Sequence, residues 1–172
     1  MIYELGERVP KIDPTAWVAE SASIIGNVEL AEDVSVWYGV VLRGDGQGSG
    51  GMISIGPRTN IQDNAVMHGT TIIGSDCVIA HLALVHASRV GNGVLVGNAA
   101  LVFDGVEVGD GAFIAAGSVV VPGTKVPPNT LMVGSPARPR GEVKENHRKM
   151  ATGLAASYLR SVAEYKTGLR QL

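Results

Sequence analysis

Residues 90–126 have the sequence VGNGVLVGNAALVFDGVEVGDGAFIAAGSVVVPGTKV, in which a branched aliphatic residue returns at every sixth position. These aliphatic positions are Val90, Val96, Val102, Val108, Ile114, Val120 and Val126. Four positions after each comes a small or medium-sized residue, and these are Val94, Ala100, Val106, Ala112, Ser118, Thr124 and Thr130. A six-residue period matches neither the 3.6 residues of a helical turn nor a long alternating strand, and it predicts short strands separated by tight corners.

The same period extends towards the N-terminus in two further runs. They comprise Val18, Ile24, Leu30, Val36 and Leu42, and then Ile55, Ile61, Met67, Ile73, Ile79 and Val85. Three such hexads make one triangular coil, and parallel strands in neighbouring coils lie about 4.8 Å apart. The eighteen hexads therefore predict an all-β solenoid, a parallel β-helix of about six triangular coils, with the aliphatic residues inside.

A glycine-rich break interrupts the period between Leu42 and Ile55, which lie thirteen positions apart where six would keep the phase. The segment Gly46–Gly51 is therefore expected to extrude as a loop. Two interpretations stay open: a tolerated surface insertion, or a flap over an active site.

The repeat ends at Gly134, which divides the chain into a β-helix domain over 1–134, including an N-terminal lead-in, and a C-terminal segment over 135–172. Prolines predict an extended connector at the start of that segment. A helix is predicted from about Glu142 to Lys166, and it should pack on the β-helix through one apolar face. That face comprises Met150, Leu154, Ala155, Tyr158, Leu159 and Val162.

Composition narrows the class of protein. The 172 residues carry a net charge of -2 without a basic cluster, which argues against a nucleic-acid partner. The N-terminus lacks an apolar signal core, and no stretch approaches the roughly 20 apolar residues of a membrane span, so we expect a cytoplasmic protein with no membrane partner. Cys77 is the only cysteine, and its place in the repeat predicts a small buried filler.

Two histidines fall at the spacing of one coil. His68 and His86 are three hexads apart, and each directly follows an inward aliphatic residue, Met67 or Val85. They should face outwards in one column, about 4.8 Å apart along the stack. At that separation both imidazoles can reach one metal ion with bonds of about 2.0–2.1 Å.

A third histidine, His81, follows Ile79 by two positions and so lies on the preceding wall, out of reach of that column within one chain. In a homotrimer, His81 of one subunit can meet His68 and His86 of the next. Three imidazoles leave a coordination position for water, as in a catalytic zinc site, although they also suit Fe²⁺, Co²⁺ or Ni²⁺. A single histidine on a strand is more often an ordinary surface residue, and His147, outside the repeat, is expected to face solvent.

Three further motifs accompany the histidines: residues 36–45 (VWYGVVLRGD), residues 58–63 (RTNIQD) and residues 134–137 (GSPA). In combination they resemble the gamma-class carbonic anhydrases and their relatives over about residues 10–165. The bare hexapeptide repeat is shared with many acyltransferases. The resemblance implies a left-handed β-helix with a C-terminal α-helix.

The resemblance also implies roles for individual residues. The metal ligands fall on His68, His81 and His86, with His81 supplied by the adjacent subunit. Arg43 and Asp45 match a charged pair that supports the subunit interface and the metal site, although an ordinary surface ion pair is the alternative.

Three other residues match positions near the reacting group. Asn60 and Gln62 match polar residues close to the water or hydroxide on the metal, and they could instead cap strand corners. Tyr158 matches a tyrosine on the C-terminal helix that leans towards the site, and simple helix packing is its alternative.

The implied activity is a zinc-dependent lyase reaction, the reversible hydration of CO2 to bicarbonate by metal-bound hydroxide, with a water pKa of about 7 as is characteristic of carbonic anhydrases. Active family members relay the proton through glutamates in two acidic loops. Here Gly46 stands at the first position, and His68 is followed directly by Gly69, Thr70 and Thr71. Rapid hydration is therefore less strongly predicted than metal binding.

Two other functions fit the same prism. A hexapeptide-repeat acyltransferase or thioesterase acting on an acyl-CoA would use one histidine as a general base and need no metal. A trimeric scaffold with a vestigial metal site would bind metal without turning over a small-molecule substrate. Removing the metal and measuring activity distinguishes these functions.

Overall fold

A computed structural model describes residues 1–46 and 51–171, so Gln47–Gly50 of the predicted loop lie outside the described residues. The chain winds into three parallel sheets whose strands follow one another in turn around the coil. Each sheet forms one wall of a triangular prism, because every third strand pairs with the strand one coil away. This is the parallel β-helix that the six-residue period predicts.

Every wall is built from short strands. Wall 1 contains β1 (Ile2–Tyr3), β4 (Ser23–Gly26), β7 (Val41–Gly44), β10 (Val66–His68), β13 (Leu84–His86), β16 (Leu101–Val102) and β19 (Val119–Val120). Wall 2 contains β2 (Lys11–Ile12), β5 (Val28–Leu30), β8 (Ile53–Ile55), β11 (Thr71–Ile73), β14 (Arg89–Val90), β17 (Glu107–Val108) and β20 (Lys125–Val126). Wall 3 contains β3 (Trp17–Val18), β6 (Ser35–Val36), β9 (Asn60–Ile61), β12 (Val78–Ile79), β15 (Leu95–Val96), β18 (Phe113–Ile114), β21 (Thr130–Gly134) and the antiparallel β22 (Ala137–Glu142).

The prism has about seven coils, one more than the hexad count predicts. Ile12 on β2 and Met132 on β21 continue the six-residue period by one hexad at either end. Strand β1 is out of phase with the repeat, because Ile12 follows Ile2 by ten positions rather than a multiple of six. It nevertheless pairs with β4. The count from Val18 to Val126 therefore misses one parallel strand of each wall, β1, β2 and β21.

The core is a stack of aliphatic side chains along the prism axis. The inward residues pair in register from coil to coil, as with Leu42, Met67 and Val85 on wall 1, and all three are fully buried. Cys77 is also fully buried, which confirms it as a filler at the corner. Its pKa is raised to about 11 by burial, so the thiol stays neutral at physiological pH.

The three walls carry different outer faces. On wall 2 the outward column is mostly polar and is joined by the ion pairs Lys11–Glu29 and Glu107–Lys125. Wall 1 has one outward column that is aliphatic beyond Ser23, and another that contains Arg43, His68 and His86. The aliphatic column comprises Val41, Val66, Leu84, Leu101 and Val119. Wall 3 is the wall that the C-terminal helix covers.

The helix α1 (Glu145–Gly168) begins three positions after the predicted start, because β22 extends to Glu142. Its contacts differ from the predicted face, since Met150 and Leu159 are 51% and 40% exposed. Tyr165, absent from that prediction, packs edge-on against Trp17 and Trp37. No helix in the described part of the chain combines the length and the apolar character that crossing a bilayer requires.

Candidate functional site

His68 and His86 are neighbours on the outer face of wall 1, at the ends of β10 and β13. Their backbones pair directly in register, as the spacing of three hexads predicts. Nδ1 of His68 lies 3.0 Å from Nε2 of His86, and both side chains are about one-third exposed. The fold therefore places two ring nitrogens against each other at the surface of one wall.

Each of these rings has a carboxylate on its other nitrogen. Asp45 Oδ1 lies 2.9 Å from His68 Nε2, and Asp104 Oδ1 lies 3.1 Å from His86 Nδ1. The contact between Asp104 and His86 is short but does not have hydrogen-bond geometry. His86 Nδ1 is therefore buried without a hydrogen-bond partner among the described residues. Carboxylates in this position orient imidazole ligands in metal sites.

The predicted pair of Arg43 and Asp45 is present. Arg43 precedes His68 in the same wall 1 column, and its guanidinium donates to the Asp45 carboxylate. Burial would raise the pKa of Asp45, but hydrogen bonds from His68 and Arg43 outweigh burial and hold that pKa below its usual value. Asp45 is therefore a firmly ionised link between Arg43 and His68.

His81 lies at the corner after β12, on wall 3 and away from the pair, as its phase in the repeat predicts. Its Nδ1 is 3.0 Å from Asp63 Oδ2, and its Nε2 is 3.1 Å from the hydroxyl of Tyr158 on α1. Burial raises the pKa of Tyr158, and the nearby Asp63 carboxylate raises it further. His81 thus has an aspartate on one side and a neutral phenol on the other.

Asn60 and Gln62 are both 2% exposed on wall 3, but they face different surroundings. Asn60 donates through Nδ2 to Ser35 Oγ at 2.8 Å, and its Oδ1 has no partner among the described residues. Gln62 lines a cavity that His81 and Tyr158 also line. The structure therefore groups Gln62 with His81 and Tyr158, and it directs the Asn60 amide group towards Ser35.

Asp63 and Asp104 are absent from the sequence prediction, although a signal for both exists. Asp63 precedes His81 by three hexads, and Asp104 follows His86 by three hexads. The coil spacing that pairs His68 with His86 would therefore have found both carboxylates.

His147 does not face solvent as predicted. It is half-buried, its ring lies 5.3 Å from that of Phe113, and its Nδ1 accepts a hydrogen bond from the backbone amide of Lys144. The reason is that α1 folds back onto wall 3 and places its first turn over β18. His147 helps to begin the helix and lies apart from the three other histidines.

The side chains fit the donor set of a zinc ion. Two nitrogens bound to one tetrahedral zinc lie about 3.3 Å apart, close to the 3.0 Å that separates His68 Nδ1 from His86 Nε2. In residues 1–46 and 51–171 of one chain, no group of three His, Cys, Asp or Glu side chains is placed to hold a metal.

Solved structures resemble the fold over its whole length. A hexapeptide transferase family protein from Anaplasma phagocytophilum has a TM-score of 0.88 and 33% identity, covering 95% of this chain and 97% of that one. A putative acetyltransferase from Bacillus cereus has a TM-score of 0.88 and 33% identity, covering 96% of both chains. These similarities confirm the hexapeptide-repeat left-handed β-helix.

No protein-family model matches the chain. Gamma carbonic anhydrase 1 of Arabidopsis thaliana mitochondria is 40% identical over 94 residues, which are 49% of this chain and 33% of that protein. The chain thus matches only about a third of the length of the Arabidopsis relatives. A carbonic anhydrase of Geobacillus kaustophilus is 35% identical over 170 residues, covering 96% of this chain and 91% of that one. The chain therefore belongs to the gamma carbonic anhydrase-like family of hexapeptide-repeat proteins.

Proposed function

We propose that the protein is a zinc-dependent lyase of the gamma carbonic anhydrase type, which catalyses the reversible hydration of CO2 to bicarbonate. The observation that carries this proposal is that an aspartate lies 2.9 to 3.1 Å from one ring nitrogen of each of His68, His81 and His86. Surface histidines need no such partners. An aspartate behind each imidazole is the arrangement that fixes metal ligands.

The active form is proposed to be a homotrimer, with each metal site shared between two subunits. The outer face of wall 1 supports this, because its aliphatic column runs beside His68 and His86. Wall 2 is mostly polar, and wall 3 is covered by α1. An aliphatic patch of this kind is typical of a surface that another chain covers. Leu82, 60% exposed beside His81, is suited to enter that face of a neighbouring subunit.

In this site the chain's own residues hold and orient the reactants. His68, His81 and His86 would bind the metal. Asp45 holds the His68 ring by a hydrogen bond, and Asp63 and Asp104 lie 3.0 and 3.1 Å from His81 and His86. Bound zinc would supply the Lewis acidity that makes water nucleophilic near neutral pH. The same imidazoles also suit Fe²⁺, Co²⁺ or Ni²⁺.

Three further residues are proposed to handle the substrate and its protons. Gln62 has a buried amide nitrogen without a partner among the described residues, so it can donate to a substrate oxygen. Tyr158 places a neutral hydroxyl beside His81 Nε2, where it can donate to or accept from a reacting oxygen. Asn60 is buried in wall 3, and its Oδ1, which has no partner among the described residues, would accept a hydrogen bond.

Proton release is expected to limit the rate. The turn from β10 to β11 contains only Gly69 and Thr70 between the strands, and Gly46 lies opposite Arg8, whose guanidinium donates to its carbonyl. Neither position supplies an acidic side chain. We therefore expect hydration that is slow in dilute buffer and accelerates when imidazole buffer is added as an external proton acceptor.

The test is elemental analysis of the freshly purified protein followed by stopped-flow CO2 hydration. We expect one metal ion per subunit, hydration above the background of free zinc, and loss of both in His81→Asn. His147→Asn is the matched control, since it removes the fourth histidine and should retain metal and activity. A metal-loaded trimer that hydrates CO2 no faster than free zinc would refute the lyase.

A second candidate function is acyl transfer to or from coenzyme A in the cytoplasm, favoured by the two transferase-named structures at 33% identity. In such an enzyme a histidine acts as a general base, so activity with an acyl-CoA should survive a chelator. Acyl-CoA turnover that persists after complete metal removal would favour this function over the lyase.

A further inference from the structure

A second cavity, of about 200 Å³, lies between the first half of α1 and wall 3. Its lining is mainly apolar, with Leu95 and Phe113 on the wall and Ala151 on the helix. At roughly 30 Å³ for a group of the size of a water molecule, this is room for about six heavy atoms. The cavity is therefore large enough for a short aliphatic chain.

The mouth of this cavity lies at the corner where wall 2 turns into wall 3. The residue at this corner, three positions after each inward aliphatic residue of wall 2, has a positive φ in six coils. Side chains fill the position in other coils, as with Asp76 (φ 57°) and Asn129 (φ 53°), whereas Gly93 (φ 61°) occupies it at the cavity. A Cβ built on Gly93 would meet no heavy atom within 4 Å apart from its chain neighbours. Since larger residues adopt the same turn, the glycine leaves the mouth open.

The rim of the cavity carries a positive charge. Arg148 lines the cavity and is exposed, and its guanidinium has neither an ion pair nor a hydrogen bond among the described residues. The next residue, Lys149, in contrast lies 4.0 Å from Glu145. No Asp or Glu side chain in the described part of the chain lines the cavity. An anionic group at the rim would therefore be attracted to Arg148 without meeting a like charge.

This cavity is separate from the proposed metal site. Gly93 lies at the corner with wall 2, whereas His81 lies at the opposite corner of wall 3, next to wall 1. None of the three proposed metal ligands lines the cavity. A trimer that assembles through wall 1 and the His81 corner would leave its mouth accessible.

We propose that this cavity binds a short aliphatic carboxylate of about six carbons. The carboxylate lies at the rim beside Arg148, where it stays partly hydrated, and the chain enters past Gly93 to lie between Phe113 and Ala151. Burial of the chain stabilises the complex, and the charge at the rim selects an anion. The ligand would also connect wall 3 to the first half of α1, which lacks the aromatic contacts of Tyr165.

The test measures binding of butanoate, pentanoate, hexanoate and hexanol to the intact protein by calorimetry. Each added methylene should strengthen carboxylate binding about two- to fourfold, as expected for burial of apolar surface. Hexanol, which has the same chain but no charge, should bind about fivefold more weakly than hexanoate or worse. Affinity that is independent of chain length would indicate an anion bound at the surface, and equal affinity for hexanol would exclude a role of Arg148. Either result would overturn the proposal.

A substitution at the mouth locates the chain of the ligand. Gly93→Asn should fold normally, because Asn129 holds the equivalent position with a similar φ, and its side chain should weaken hexanoate binding about tenfold by blocking the mouth. The matched control is Gly123→Asn, at another corner with positive φ and open space around it but outside the cavity lining, and it should bind hexanoate normally. Unchanged binding by Gly93→Asn would show that the ligand lies elsewhere.

A second pair of variants locates the carboxylate. Arg148→Gln should lower the affinity for hexanoate to that for hexanol and leave the affinity for hexanol unchanged. Lys149→Gln removes the same charge from a neighbouring position that does not line the cavity, and it should have little effect. Equal losses in both variants would reduce the effect to general attraction by the positive charge of the helix, against the proposal.

The cavity and the metal site can be tested independently. His81→Asn should lose metal and still bind hexanoate as the unsubstituted protein does. Loss of hexanoate binding in this variant would assign the carboxylate to the metal and overturn the cavity proposal. Hexanoate binding that depends on Gly93 in a protein without metal or hydration activity would instead refute the lyase alone.

Discussion

At the scale of single residues, the carboxylates behind the histidines carry the most chemical information. Imidazoles alone can bind metal in many orientations, whereas a carboxylate on one nitrogen selects the tautomer that presents the other nitrogen outwards. Asp45 is hydrogen-bonded to His68 in this way, and Asp63 Oδ2 lies 3.0 Å from His81 Nδ1. In the proposed metal site, residues that do not touch the metal would therefore influence how firmly it is held.

The first prediction concerns Asp63→Ala. Removing this carboxylate takes away one of the two polar contacts of the His81 ring, the other being with the Tyr158 hydroxyl. We expect the affinity for zinc to fall about 10- to 100-fold, the usual effect of losing such a partner. Competition with a chromophoric chelator measures the affinity. Glu107→Gln, on the polar face of wall 2, is the control that should change nothing, and unchanged affinity in Asp63→Ala would exclude a positioning role.

The second prediction concerns Cys77. Because burial raises its pKa from 9.0 to about 11, the folded state disfavours the thiolate, and stability should fall as pH rises through this window. Below pH 9 we expect no reaction of the native protein with a thiol reagent and rapid reaction after denaturation. Denaturant titrations at pH 8 and pH 10.5 should show a loss of unfolding free energy that is smaller in Cys77→Ala, where only other groups such as Tyr158 contribute to it. Rapid modification of the native protein would contradict the burial of this side chain.

At the scale of elements, α1 is held mainly by aromatic contacts in its second half. Tyr165 lies edge-on to Trp17 and Trp37, with ring centroids 5.7 and 5.2 Å away, and Tyr158 packs on Trp37 at 4.9 Å. None of the helix residues is fully buried. The helix is therefore anchored at one end, and the cavities lie beneath its first half.

This anchoring gives the third prediction. Tyr165→Ala removes three aromatic pairs, with Trp17, Trp37 and Tyr38. Each is worth about 0.5–1.5 kcal/mol beyond area burial, so hydrogen exchange should increase throughout α1. The β-helix amides should remain protected, because their pairing does not involve the helix. Leu159→Ala, at a 40% exposed position of the same helix, is the matched control. Equal protection of α1 in both variants would show that the helix is anchored elsewhere.

At the scale of the whole molecule, the three outer faces divide the prism into one polar, one covered and one aliphatic wall. Since the aliphatic wall also carries His68 and His86, assembly and metal binding should be coupled. A trimer would bury this wall and supply the third histidine in the same step.

The fourth prediction tests that coupling. Val66→Lys places a charge on the aliphatic face of wall 1 next to His68, and we expect dissociation to monomers together with loss of metal. Light scattering and elemental analysis measure the two effects. Ile72→Lys, at an outward position of wall 2, should retain both the trimer and the metal. A monomeric variant with full metal content would show that one chain suffices for the site.

The repeat in the sequence was sufficient to predict the walls and the pairing of His68 with His86. In a β-helix the position in a six-residue period fixes the wall and the direction of each side chain, so sequence spacing translates directly into distance. The same reasoning placed His81 on another wall. The same spacing relates Asp63 to His81 and Asp104 to His86, because each aspartate lies one full coil from its histidine.

The contacts of α1 could not be predicted in this way, and neither could the cavity beneath it. Tyr165, near the end of the chain, meets Trp17, near its beginning, and no local period relates a helix to the wall on which it packs. The six-residue period is enough to predict the prism and the histidine column, because coil stacking is a local rule repeated along the chain. Which wall the helix covers and which cavity lies beneath it depend on packing between distant segments, so they emerge only from the folded chain.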